Sequence, residues 1–229
     1  MPDVQKAIQA MLKALQVPLG APAVTPPRRV VCISRDYGSG GDEVARLLAK
    51  RLGLELYDRV VIDRIAKRLD AEPATMQAVD TGSSHLRDLW LYSLVTGQDL
   101  SERSYKRHLI NVVVTLGRTG GVILGAAAHL ILARSGALRV RFTGSAEACA
   151  KRVAAAEDLS VEAALKRIED MNHRRGEFVW EHFQARLNDP RTFDLIINTD
   201  RVQDYEKVVD MLVAAADMLG LPPSGEARP

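Results

Sequence analysis

The residues of this chain best suited to chemistry lie in one stretch, Ser34-Arg35-Asp36-Tyr37-Gly38-Ser39-Gly40-Gly41-Asp42-Glu43. Gly38, Gly40 and Gly41 permit positive φ and let a ligand come close to the main chain. Ahead of them, Val30-Val31-Cys32-Ile33 is a short apolar, β-branched run of the kind buried on both faces of a parallel sheet. Behind them, Val44, Leu47, Leu48 and Leu52 form a helical stripe, with Gly53 at the place of a C-terminal cap. A strand that feeds a glycine-rich turn and a helix N-terminus aims amide N–H groups and the positive end of the helix dipole at one point. Phosphate oxygens are bound at such points. Tyr37, Gly38, Ser39, Gly40, Gly41, Asp42 and Glu43 are therefore the candidate nucleotide-binding residues. On the glycines alone, a tight turn without a ligand is the alternative.

Phosphate oxygens bound at such a point call for positive charge beside them. The usual phosphate loop supplies a Lys directly after its last glycine, whereas Gly41, Asp42 and Glu43 follow Gly40 here. The two acids are expected to point outward as first-turn charges, which the helix dipole favours. Arg35, inside the loop, is the nearest replacement cation, and a guanidinium can reach a β- or γ-phosphate as a Lys would. A salt bridge to Asp36 or to a helix end is its ordinary alternative. Arg167, Arg174 and Arg175 lie seven and eight residues apart on one helical stretch, close to two turns, and fall near one face. Together with Arg35 they are the candidate catalytic residues, acting as an arginine finger does; a solvated helix face is the other reading.

The elements that must hold these residues alternate along the chain. Gly121-Val122-Ile123-Leu124-Gly125, Leu138-Arg139-Val140-Arg141-Phe142 and Phe193-Asp194-Leu195-Ile196-Ile197-Asn198 repeat the strand signature, and each precedes a helix-like stretch, the last from Val202 to Leu219. Strands alternating with helices predict an α/β domain with a mainly parallel sheet. Residues 59–118 read almost wholly helical, an insertion between strands. Residues 160–189 form a second charged helical stretch, with Ser160 as its N-cap. The expected domain spans 29–218. It is preceded in 1–28 by an amphipathic helix (Val4, Ile8, Met11, Leu12, Leu15) on a Pro-rich tether and followed by a flexible tail, 219–229.

The run Ile33 to Gly41 resembles the SR-x-YGSGG loop of the cytidylate kinase-like family. The resemblance continues in Leu54-Glu55-Leu56-Tyr57-Asp58, Val122-Ile123-Leu124-Gly125, Phe142-Thr143-Gly144-Ser145-Ala146-Glu147 and Phe193-Asp194-Leu195-Ile196-Ile197-Asn198-Thr199. It implies a three-layer P-loop kinase fold: a central, mainly parallel sheet of about five strands flanked by helices, a helical monophosphate-binding insertion and a mobile lid. It also implies ATP-dependent phosphoryl transfer to a nucleoside monophosphate, CMP or dCMP in kind, with ATP and Mg²⁺ as cofactors. Arg152 is then expected against the adenine ring, and Asp58 and Arg64 at the acceptor. Asp58 is as well suited to capping the next helix, and Arg64 to a solvated face. Two departures stand out. The family usually has a basic residue at the position of Asp42, and it has Gly-Arg-Gly-Ala where this chain reads Gly125-Ala126-Ala127-Ala128. A degenerate kinase-like protein that binds a nucleotide or phosphate ligand in a regulatory or assembly role is the alternative these losses keep open. His129 is expected to be a surface or hydrogen-bonded helical residue.

Composition narrows the classes. With 31 Lys+Arg against 29 Asp+Glu, the formal charge of +2 gives no electrostatic footprint for nucleic acid. No apolar run approaches the roughly 20 residues of a membrane span, and the first residues lack the pattern of a secretory signal. The expectation is a cytoplasmic protein that binds a nucleotide substrate, with no nucleic-acid or membrane partner. The N-terminal helix is a possible source of a homodimer. Cys32 and Cys149 read as buried small hydrophobes without metal-ligand spacing, and no metal-binding residue is assigned.

Overall fold

The structure is a computed structural model that describes residues 29–63, 100–202 and 204–221. The N-terminal helix, Arg64 with most of the insertion, and the tail beyond residue 221 lie outside the described residues.

Five strands form one sheet: β1 (Val30–Arg35), β2 (Leu56–Asp58), β3 (Gly121–Leu124), β4 (Leu138–Thr143) and β5 (Leu195–Asn198). Their order is β2-β3-β1-β4-β5, and every pairing is parallel. Parallel pairing hides a sheet on both faces, and the central strands are composed for it. Val31, Cys32 and Ile33 of β1, and Val122 and Ile123 of β3, are all at most 1% exposed.

Side-chain alternation along the strands divides the core in two. On one face Val31, Ile33, Val122, Leu124, Leu138, Val140 and Phe142 meet α1 (Gly41–Leu52) and α6 (Tyr205–Met218) through Val44, Leu48, Val209 and Leu212. On the other, Cys32, Tyr57 and Ile123 meet α2 (Leu100–Thr119) through Leu109, Val112, Val113 and Leu116, and α3 (Ala128–Ile131) through Ala128. Each large aliphatic side chain buried in this way contributes about 1.5–3 kcal/mol. The result is a three-layer α/β fold.

Because all strands point the same way, the turns after β1, β3, β4 and β5 open on one edge of the sheet. Ligands of open α/β sheets bind at that edge. The stretch expected to be a lid, residues 160–189, follows α4 (Ala146–Glu157) and is for most of its length one long helix, α5 (Val161–Phe183). Ser160 caps α5 as expected, its hydroxyl accepting from the Ala163 amide at 3.1 Å. Two boundaries differ from the sequence pattern. β5 starts at Leu195 because Phe193 ends a 3-10 turn (Pro190–Thr192) and Asp194 is held by Arg139. α6 starts at Tyr205, where the Asp204 carboxylate accepts from the Glu206 amide.

Candidate functional site

The turn between β1 and α1 takes the conformation its glycines allow. Gly38 and Gly40 have φ of 77° and 78°, and Gly40 occupies the N-cap position of α1 with no side-chain cap. Four successive donors of an uncapped helix start have no intrahelical acceptor. Among the described residues, the amides of Gly38, Gly40, Gly41 and Asp42 meet no protein acceptor, whereas Ser39 donates both its amide and its hydroxyl to the Asp36 carbonyl. The turn is closely walled. A Cβ on Gly38 would lie 2.8 Å from the Cys149 carbonyl, and one on Gly40 would collide with the Tyr205 hydroxyl.

Arg35 runs beside this turn. A Cβ on Gly41 would lie 2.7 Å from its Cβ, and one on Gly125 only 2.9 Å from its Nη1. Its guanidinium therefore stands in front of the Gly125-Ala126 strand end, where the resemblance leads one to expect an arginine. Its partner is Asp42: Nη2 donates to Oδ1 at 2.8 Å and Nε to Oδ2 at 3.2 Å. Asp42 is thus not the outward charge expected from the sequence; its carboxylate folds back onto Arg35. Burial pushes this carboxyl up, but the Arg35 hydrogen bond and the charges of Arg35, Arg175 and Arg46 outweigh it and hold it below the usual range. Glu43 does turn outward, to Arg46.

Of the three arginines of α5, Arg167 reaches the Tyr37 side chain, and Arg175 reaches the main chain at the start of the turn. Its Nη1 donates to the Arg35 carbonyl at 3.0 Å, and its guanidinium lies 5.5 Å from the Tyr37 ring centroid. Burial first, and then the neighbouring Arg35, depress its pKa to about 10. Arg35, Arg175 and Arg141 thus face two carboxylates, Asp42 and Asp36, a local excess of positive charge. Arg167 pairs with Glu157 at 2.8 Å, and Glu157 also accepts from the Tyr37 hydroxyl. Arg174 is exposed. The common face expected from their spacing fails because Ala164, Ile168 and Val179 point inward, which turns Arg174 to solvent and Arg175 to the turn. Arg152 donates to the Gly38 carbonyl and to Thr199, joining the turn to the end of β5.

Several residues of this edge had escaped the sequence reading. Asn172 of α5 accepts from the Tyr37 amide at 2.8 Å. Arg141 of β4, buried, donates to the Asp36 carboxylate at 2.6 Å and to the Ser34 hydroxyl at 3.1 Å, and Thr143 donates to Asp36 at 2.7 Å. A charge in the middle of a core strand was the available signal for Arg141. These residues line a groove of about 640 Å³ between α5, residues 185–188 and β4.

On the β2 side, the Asp58 Oδ1 accepts from the Val61 amide at 2.9 Å, so the residue caps the helical turn that follows. Beyond it, Tyr105 donates to Asp63, and Arg59 lies 4.0 Å from the centroid of Phe178 on α5. The long helix therefore spans from the glycine turn to the start of the insertion. Ala126 and Ala127 both adopt positive φ, 53° and 54°, and this bend turns His129 inward. Contrary to expectation, His129 is 3% exposed, has an unpaired Nε2 and stacks on Phe193 at 4.5 Å. Cys32 and Cys149 are buried free thiols, and burial pushes the first up to about 12.

For a divalent cation the described residues offer few ligands. Among the described residues no three His, Cys, Asp or Glu side chains group together. The Ser39 hydroxyl is fully buried, and Asp42 is engaged by Arg35. Magnesium often binds through substrate phosphates with few protein ligands. No helix among the described residues is long and apolar enough to cross a membrane.

The model of the cytidylate kinase-like family matches residues 30–201, from the start of β1 past the end of β5. The chain belongs to the cytidylate kinase-like family. Among solved structures it is similar to an uncharacterized protein from Eubacterium ventriosum, at 22% identity and a TM-score of 0.62, over 83% of this chain and 99% of that one. A shikimate kinase from Bacteroides thetaiotaomicron (14% identity, TM-score 0.45) covers 82% of this chain and 98% of its own. A gluconokinase from Sinorhizobium meliloti (15%, 0.45) covers 84% and 93%. Comparison with curated proteins returned no match. Asp42 and Ala126 are the places where this member departs from the resemblance drawn from its sequence.

Proposed function

We propose that the protein transfers the γ-phosphoryl group of MgATP to a nucleoside monophosphate, with CMP and dCMP as the acceptors to test first. The observation that carries this reading is the pairing of unengaged loop amides, Gly38 and Gly40 to Asp42, with the excess charge of Arg35 and Arg175 beside them. Amides without acceptors and three guanidiniums sharing two carboxylates are relieved together by a polyphosphate. Arg35 then does the work of the absent loop lysine and, from its position before Gly125, that of the arginine missing at Ala126. Arg152 offers its planar face to the adenine, Arg175 clamps the transferring group, and Arg167 and Arg174 close the outer side of the lid. Asp58 and Arg64 mark the acceptor side. Such a site acts by position and field, as phosphoryl transfer requires.

One observation favours the second reading, a kinase-like protein that binds a nucleotide without turnover. Asp42 and Asn172 already occupy a guanidinium and an amide that a phosphate needs, and losing one transition-state contact commonly costs about 10² to 10³ in rate. A coupled assay with ATP, Mg²⁺ and each of CMP, dCMP and UMP, beside titration with a non-hydrolysable ATP analogue, separates the two. Turnover with a pyrimidine monophosphate supports the enzyme. Tight binding with no turnover on any acceptor establishes the binding protein, and absence of both rejects the nucleotide site.

A further inference from the structure

We infer that Asp42 is an internal counter-ion that occupies the place of a ligand phosphate, so that the loop admits only anions able to displace it. The inference rests on the phosphate-loop reading proposed above. Three N–H···O contacts, at 2.8, 3.2 and 3.3 Å, tie the carboxylate to Arg35. Asp42 also lies in the first turn of α1, where the helix dipole favours negative charge. The carboxylate therefore uses the same two attractions, a guanidinium and a helix N-terminus, that would hold a phosphate.

The two partners differ in their freedom to move. The Arg35 side chain is 13% exposed, fits between Gly41 and Gly125 and has its own carbonyl held by Arg175. The Asp42 side chain is 43% exposed and can swing into solvent. An arriving anion thus meets a fixed cation and a removable carboxylate. The four unengaged amides decide the competition. Asp42 leaves Gly38, Gly40, Gly41 and its own amide without an acceptor, whereas a chain of linked phosphates engages them and Arg35 at once. A single phosphate gains less from the same displacement. Asp42 in this account determines specificity: it sets a threshold that polyphosphates cross and small anions do not.

The test is calorimetric titration of the full chain and its Asp42→Asn variant with pyrophosphate, inorganic phosphate and a non-hydrolysable ATP analogue, each with and without Mg²⁺. Asp42→Asn is near in size and keeps the first-turn position; Asp42→Ala serves as the second variant. The expected result is pyrophosphate affinity about tenfold to a hundredfold tighter in both variants without Mg²⁺, the size of one charge-assisted contact, and inorganic phosphate binding gained where the parent chain shows none. Unchanged or weaker affinity in the variants, with the parent chain still binding the ATP analogue, overturns the counter-ion and leaves the nucleotide site standing. Affinity lost only in the presence of Mg²⁺ also overturns it, since Asp42 would then be holding the metal. Failure of both parent and variants to bind any of the three probes overturns the site together with the counter-ion.

Discussion

Replacing Arg175 by Met separates binding from stability, because the two should move in opposite directions. This guanidinium is buried beside Arg35, and burial first, then the Arg35 charge, depress its pKa to about 10. An arginine remains charged at any accessible pH, so the depression measures how poorly the site tolerates the cation. A drop of this size corresponds to about 3 kcal/mol against the charged form. The hydrogen bond to the Arg35 carbonyl and the contact over Tyr37 return about 1–2 kcal/mol. Removing the charge while keeping the stem should therefore leave the empty protein as stable as before or more so, by about 1–2 kcal/mol. For a chain of this size that is a Tm increase of about 2–8 °C. Binding should respond the other way: a charge-assisted contact to phosphate contributes about 1.5–3 kcal/mol, so the affinity for a non-hydrolysable ATP analogue should fall about tenfold to a hundredfold. Differential scanning calorimetry and titration on the same sample give both numbers. A Tm several degrees lower with unchanged affinity would refute the reasoning and make Arg175 a structural clasp between α5 and the turn.

Other expectations follow from buried polar groups and from the glycines. The His129 imidazole is held down to about pH 4, by burial first and then by Arg141 and Arg139. The unfolded chain binds its proton from about pH 6.5 downward, so the stability His129 confers is complete above pH 6.5 and is lost toward pH 4, by up to about 3 kcal/mol. His129→Leu should flatten denaturant-measured stability between pH 7 and pH 5; an unchanged slope contradicts the assignment. Arg141→Met leaves the Asp36 carboxylate without its cation and should cost about 3–5 kcal/mol, part of which Asp36→Asn in the same chain should restore. Gly40→Ala forces a side chain into positive φ against Tyr205 and should cost about 2–3 kcal/mol, with Tyr205→Phe recovering some of it.

Much of the fold was legible because it rests on local pattern. The apolar runs at Val30 and Val122 are continuous because both sheet faces are covered, and the glycines at 38 and 40 stand where the turn needs positive φ. The charge pattern was less legible. Arg35 and Asp42 sit on either side of a reversal, and only the path of the turn shows that they meet. Helical spacing placed Arg167, Arg174 and Arg175 together, but the inward face of α5 is set by Ala164, Ile168 and Val179, so the three were divided. His129 was misjudged because three alanines give no hint of the two positive-φ residues that turn it inward. Asp36, Arg141 and Asn172 join three separate elements, and no sequence spacing relates them.

Backbone amide shifts of the glycine turn, followed by heteronuclear NMR as a non-hydrolysable ATP analogue is added, report most directly on where the phosphates go. The amides of Gly38, Gly40, Gly41 and Asp42 should move furthest and saturate together, with the Arg35 side-chain Nε signal following them. Saturable binding that leaves those four amides unmoved, and shifts residues elsewhere, would contradict the account.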